Sequence, residues 1–256
     1  MRPLPTQRQR GLLRRLTTAS LTCLLVLGAL PALATAATKP FTIDLAGRND
    51  FVAQTNFVQC VGASMQMMLN MILPGTDRTA ATQFNLQELA REWSGSRPDG
   101  RERQGASVRG WTAGLNQLGA GPYRLAGATT LEEALVLAAR AVRLTGKPVG
   151  LLMWRGRHAW VMSGFEATGD PLLATTRITS VFVEDPLYPH GSSVWGPSPA
   201  PGAALTPDAL GRQYVPRGTS RSSPWNQSPW GRQFAGKYVL VLPFVPLPTL
   251  QANADI

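Results

Sequence analysis

The chain has 256 residues, 44% of them hydrophobic and 16% charged, with a formal net charge of +10, two cysteines and two histidines. That length and apolar content allow one domain with a full core, and two cysteines exclude a scaffold held by several disulfides. No metal-ligand spacing and no basic run interleaved with aromatics is present, so no metal, no cofactor and no nucleic-acid partner is expected.

Residues 1–36 have the order of a secretory signal peptide. Arg2, Arg8, Arg10, Arg14 and Arg15 precede the short apolar run Leu21–Leu30, and Ala32-Leu33-Ala34 and Ala34-Thr35-Ala36 offer small-residue cleavage sites. The competing reading is a retained anchor over the uncharged window from Leu16 to Thr38, but Thr17, Thr18, Ser20, Thr22 and Pro31 dilute it. Cleavage near residues 34–36 removes five of the 25 basic residues and none of the 15 acids, leaving a mature charge of +5. A mildly basic exported protein, secreted or held at the cell surface or in the periplasm, fits work near anionic cell-wall polymers.

The remaining residues, 37–256, read as one domain. Phe41–Leu45 alternates as a short strand. From Val61 to Leu73 the apolar residues Met65, Met68, Leu69, Met71 and Ile72 recur at helical spacing with little charge, which predicts a buried helix with Cys60 at its first turn and Pro74-Gly75 at its end. Asn85 with Glu88 and Thr130 with Glu133 are start signals for two further helices, and Ser107–Gly119 predicts a shorter one between them. Then the texture changes. Val149–Trp154 predicts a strand, Arg155–Arg157 a turn, His158–Phe165 its hairpin partner, and Ile178–Glu184 a third strand. Residues 186–231 are rich in Pro, Gly and Ser, carry Trp195, Trp225 and Trp230, and read as a long irregular insertion before a last strand at Lys237–Leu242. Helices first and strands after predict an α+β fold with a largely antiparallel sheet.

With the leader removed, Cys60 is the only cysteine. An unpaired cysteine in an exported protein is either a reactive thiol or a buried, inert one, and the count alone weighs the two equally. His158 opens a strand directly after a turn, where side chains emerge into clefts. Asp185 ends the third strand before Pro186.

Taken together, "QTNFVQCVGASMQMMLNMI" (54–72), "RHAWVMSGF" (157–165) and "VFVEDP" (181–186) resemble the three blocks of the papain-like cysteine peptidases. The nearer likeness is to the bacterial branch that includes bacteriocin-processing peptidase domains. In that branch a Gln stands six residues before the Cys, the Cys opens a buried helix, the His begins a strand, and an Asp followed by Pro ends a later one. The likeness spans roughly Gln54 to Asp185. Val61 stands where many relatives carry Gly or Trp, and the 186–231 segment has no counterpart. The resemblance implies a papain-like fold and a Cys60–His158–Asp185 triad acting on a peptide or protein substrate through a thioester, with Gln54 donating to the oxyanion.

The chemistry suits those residue types. A thiol is a poor nucleophile until ionised, and a helix N-terminus and an imidazolium both favour the thiolate. A histidine at the thiol takes its proton and returns it to the leaving amine, and an amide donor at the oxyanion is worth about 3 kcal/mol. Gln59 and Asn56 rank below Gln54 as that donor. His190 lies in the irregular segment, Asp170 reads as a hairpin turn, and Glu184 faces away from Asp185 by strand alternation. Trp154 and Trp160 read as core. Two alternatives stand beside the peptidase: an NlpC-type peptidoglycan amidase or endopeptidase, and a non-catalytic wall-binding module. A transglutaminase-like acyl transferase ranks lower.

Overall fold

The computed structural model describes residues 40–97, 99–101 and 103–246, so the expected leader at 1–36 lies outside the described residues. The elements run β1 (Phe41–Asp44), α1 (Cys60–Ile72), α2 (Ala80–Glu92), α3 (Val108–Gln117), β2 (Tyr123–Ala128), α4 (Leu131–Thr145), β3 (Val149–Met153), β4 (His158–Ala167) and β5 (Ile178–Glu184). After these come β6 (Gly191–Ser192), β7 (Gly196–Pro197), β8 (Ala203–Leu205), α5 (Pro207–Gly211), α6 (Pro224–Gln227), α7 (Pro229–Arg232) and β9 (Tyr238–Pro243). Among the described residues no helix is long and apolar enough to cross a membrane.

Helix boundaries follow capping chemistry. Thr130 accepts from the Glu133 N–H at the start of α4, and Gly146 ends it in the left-handed region that glycine adopts freely. Ser107 caps α3 through the Gly110 N–H. The start signal at Asn85 is overridden, because α2 begins at Ala80 with the Thr79 hydroxyl accepting from Thr82 N–H. Residues 186–231 are not irregular throughout. β8 pairs with β5, and β6 and β7 form a small separate hairpin.

The fold is α+β with an antiparallel sheet. Strand order is β2-β9-β3-β4-β5-β8, and β1 pairs with β4 through Phe41↔Ala167 to Asp44↔Gly164. β3 pairs with the other half of β4, Val149↔Met162 to Met153↔His158. Both faces are covered, which is why β4 is buried at nine of its ten positions rather than at alternate ones. Leu151, Met153, Trp160, Met162 and Leu240 pack with Leu135 and Ala138 of α4. Ala159, Val161 and Val241 pack on the opposite side with Met65 and Met68 of α1 and Trp111 and Leu115 of α3.

Close approach fixes the second layer. A Cβ at Gly150 would lie 2.6 Å from the Trp111 ring, so the fully buried indole sits directly on the backbone of β3. Gly150→Ala should therefore destabilise the protein by about 1–3 kcal/mol, the usual cost of overpacking. Urea titration of Gly150→Ala, of Trp111→Leu and of the double variant should show positive coupling, the smaller Trp111 replacement making room for the added methyl.

Candidate active site

The start of α1 places the thiol. Cys60 is its first residue, partly exposed and unpaired. Gln59 precedes it without a side-chain cap bond, and no acid stands in the first turn. The orphan donors of a helix start need acceptors, and here α2 supplies one. Gln87 accepts the Gly62 N–H at 2.9 Å through Oε1 and donates through Nε2 to the Val58 carbonyl at 3.0 Å. One turn earlier Gln83 accepts the Thr55 N–H at 2.8 Å and donates to the Ala53 carbonyl at 3.0 Å. Both glutamines are almost completely buried. The four bonds fasten the loop before Cys60 and the first turn of its helix to one face of α2. Gly62 makes this possible, since a Cβ there would lie 2.6 Å from the Gln83 carbonyl oxygen and 2.9 Å from Gln87 Cβ.

The hairpin between β3 and β4 places the imidazole. Met153 and His158 are its last paired residues. Trp154 and Arg155 both adopt positive φ, 55° and 57°, in the left-handed region that costs an ordinary side chain energy. That turn lays the Trp154 indole flat on the His158 ring, centroids 4.1 Å apart and planes 24° from parallel. Gln213 holds the indole there, accepting from Trp154 Nε1 at 2.9 Å while its carbonyl accepts the Trp154 N–H at 3.1 Å. The segment after β5 thus carries a support for this site.

Asp185, just past β5, reaches His158. Its Oδ1 lies 2.7 Å from His158 Nε2 and also accepts the Leu187 N–H at 2.9 Å. The residues are 0% and 4% exposed. With Nε2 taken by Asp185, Nδ1 is the ring nitrogen left for the Cys60 thiol, which lies close enough to act on the imidazole electrostatically. Burial pushes the imidazolium down. The hydrogen bond to Asp185 and then the interaction with Cys60 outweigh it and raise His158 from the ordinary 6.5 to about 9. The face of an indole, electron-rich at its π surface, suits a cationic ring.

Gln54 lies in the fastened loop, with its N–H on the Pro186 carbonyl at 2.7 Å, next to the Asp185 turn. Its side-chain Nε2 donates to the Asn56 carbonyl at 2.8 Å, and no described contact joins that side chain to Cys60. Gln59 points its Oε1 to the Thr55 hydroxyl, and Asn56 accepts from the Val58 N–H. His190 is exposed in a turn, its carbonyl accepting from Ser198 N–H. Asp170 pairs with Arg143 at 3.2 Å. Glu184 is buried on its own side, where burial first, and then Asp44 and Asp50, raise its carboxyl to about 7 against a lowering hydrogen bond from the Gly202 backbone.

The site therefore gathers Cys60, His158 and Asp185, leaves Gln54 nearby but engaged, and leaves the rival residues outside. A thiol, an imidazole and a carboxylate in this line can supply a nucleophile and carry a proton. Compared with family models, with curated proteins and with solved structures, the chain matches none.

Two outcomes are expected. Gln87→Leu, which strands the Gly62 donor and the Val58 acceptor, should cost about 1–3 kcal/mol in urea titration and slow iodoacetamide alkylation of Cys60. A histidine held above its unfolded value stabilises the fold where it is protonated. The His158 contribution is then complete below about pH 6.5 and is lost as pH rises through about 9. The urea-midpoint gap between wild type and His158→Gln should accordingly be widest below pH 6.5 and narrow across that window.

Proposed function

We propose that the protein is an exported, papain-like thiol hydrolase that cleaves peptide bonds through Cys60, His158 and Asp185. The observation that carries this reading is the buried Asp185–His158 hydrogen bond with Cys60 beside the imidazole, its thiol on the first residue of a helix. Helix geometry leaves the Cys60 N–H without an intrahelical acceptor, beside the sulfur that would attack.

In the proposed reaction the Cys60 thiolate adds to the peptide carbonyl carbon. Negative charge develops on the carbonyl oxygen, which receives the Cys60 N–H and the second amide hydrogen of Gln54, the first being held by Asn56. The C–N bond breaks as the His158 imidazolium gives its proton to the departing amine, leaving a thioester. Neutral His158 then takes a proton from water, whose oxygen displaces the sulfur and releases the carboxylic acid. Asp185 keeps Nε2 engaged, so Nδ1 does the exchange. The reaction needs no cofactor. The carboxylate as third member favours this over an NlpC-type site, in which the third polar residue is often a histidine.

Purified residues 37–256 should be labelled rapidly by iodoacetamide. Cys60→Ala should abolish labelling, and His158→Ala should slow it by about 100-fold, the scale of lost general-base assistance. Slow labelling indifferent to His158 would overturn the triad. Because the departing amine needs the imidazolium, turnover should decline as pH rises through about 9, and Asp185→Asn should move that alkaline limb to lower pH.

A further inference from the structure

A cavity of about 440 Å³ opens beside the His158 hairpin, lined by four arginines, Arg103, Arg155, Arg157 and Arg217, and, among the described residues, by no carboxylate. Its position ties it to the site. One wall is the turn Arg155-Gly156-Arg157, which ends at His158. The segment Ala106-Ser107-Val108 also lines it. That segment runs beside the Cys60 loop: a Cβ at Gly105 would touch the Val58 carbonyl at 3.6 Å, and Ala106, Val108 and Cys60 pack against one core cluster. The cavity thus continues the seam between the thiol-bearing loop and the imidazole-bearing hairpin.

Among the described residues Arg155, Arg157 and Arg217 make no ion pair. Arg217 is anchored by donating to the Gly231 carbonyl at 2.8 Å, and Arg103 donates to the Gly95 carbonyl at 3.1 Å. The backbone carbonyl fixes the Arg217 guanidinium in place without cancelling its charge. Arg155 and Arg157 project as exposed side chains from the turn. The like charges of Arg155, Arg157 and Arg217 around one concavity repel each other, and an arriving anion relieves that repulsion while forming charge-assisted hydrogen bonds. Leu152, Ala106 and Val108 add an apolar surface for a short carbon stem. Among the described residues no aromatic ring, of the kind on which nucleobases stack, lines the cavity.

Resting on the hydrolase reading above, we propose that this cavity is a substrate subsite for a peptide carboxylate, and that the protein selects acidic peptide segments. The carboxylate comes from an Asp or Glu side chain or from a free C-terminus, and both place one planar anion on a short stem.

The test is binding to full-length mature Cys60→Ala protein, which needs no turnover. Fluorescence anisotropy would compare mixed-sequence peptide pools that contain Glu, contain Gln in its place, end in a free carboxylate or end in an amide, beside a single-stranded oligonucleotide of equal charge. The Glu or free-carboxylate pool should bind about tenfold tighter than its neutral partner, roughly one charge-assisted bond, and the pool that shows the gap identifies the source. The gap should close in Arg155→Gln/Arg157→Gln, persist in the remote Arg78→Gln, and shrink as salt is raised. Equal binding of charged and neutral pools, a gap untouched by the double substitution, or an oligonucleotide held as tightly as the best peptide would each overturn the proposal. Wild-type protein that binds acidic pools but cleaves none would instead count against the hydrolase alone.

Discussion

Asp185 Oδ1 and His158 Nε2 stand 2.7 Å apart with almost no access to water. Either group charged and alone in such a place would be strongly unfavourable, and each makes the other tolerable. The strands carry the burden of bringing them together. β4 and β5 pair in antiparallel register with Val161 opposite Glu184, and an irregularity between Met162 and Gly164 shifts that register. A slip of one residue would turn Asp185 to the opposite face and bring Glu184 toward the histidine. The sheet, buried on both sides, admits no such slip without moving its core.

The two halves of the site are held by different means. The imidazole is held by an indole stacked on its face and a carboxylate at its Nε2, both placed by strand ends and a left-handed turn. The thiol is held by amides. Gln83 and Gln87 are one helical turn apart, and each both donates to and accepts from the backbone around Cys60. Leucines at those positions would bury more apolar area but leave the loop free to slide, since apolar contact is non-directional. Hydrogen bonds have preferred angles, so four of them define one path for the loop.

Much of this was legible in the sequence where a local rule operates alone. Thr130 and Gly146 bracket α4, Ser107 opens α3, and the apolar run after Cys60 forms α1 where its spacing places it. Local rules failed where they competed or where tertiary contact decides. Thr79 displaced Asn85 as the start of α2. β2 went unread because Arg124 and Gly127 interrupt its pattern, and its strand character comes from pairing along β9. Gln83 and Gln87 look like solvent-facing residues on a polar helix, and nothing nearby in sequence says that a loop lies over them. Trp154 reads as core because the left-handed turn that sets it on His158 is invisible to composition. Arg155 and Arg157 read as a plain turn for the same reason. The gathering of Cys60, His158 and Asp185 was readable from the order of the blocks, whereas the engagement of the Gln54 amide with Asn56 was not.

β1 and β3 divide one edge of β4 between them, β3 taking residues 158–162 and β1 taking 164–167. Only four residues of β1 cover the second stretch, and nothing else described pairs there. Detaching that short ribbon would bare a row of unsatisfied N–H and C=O groups on the longest strand among the described residues, flanked by Phe165 and Ala167. An open apolar edge of this kind invites a strand from another chain. Phe41–Asp44 is therefore the piece whose loss turns a covered edge into a self-templating one, and any shortened version of the protein has to begin before it.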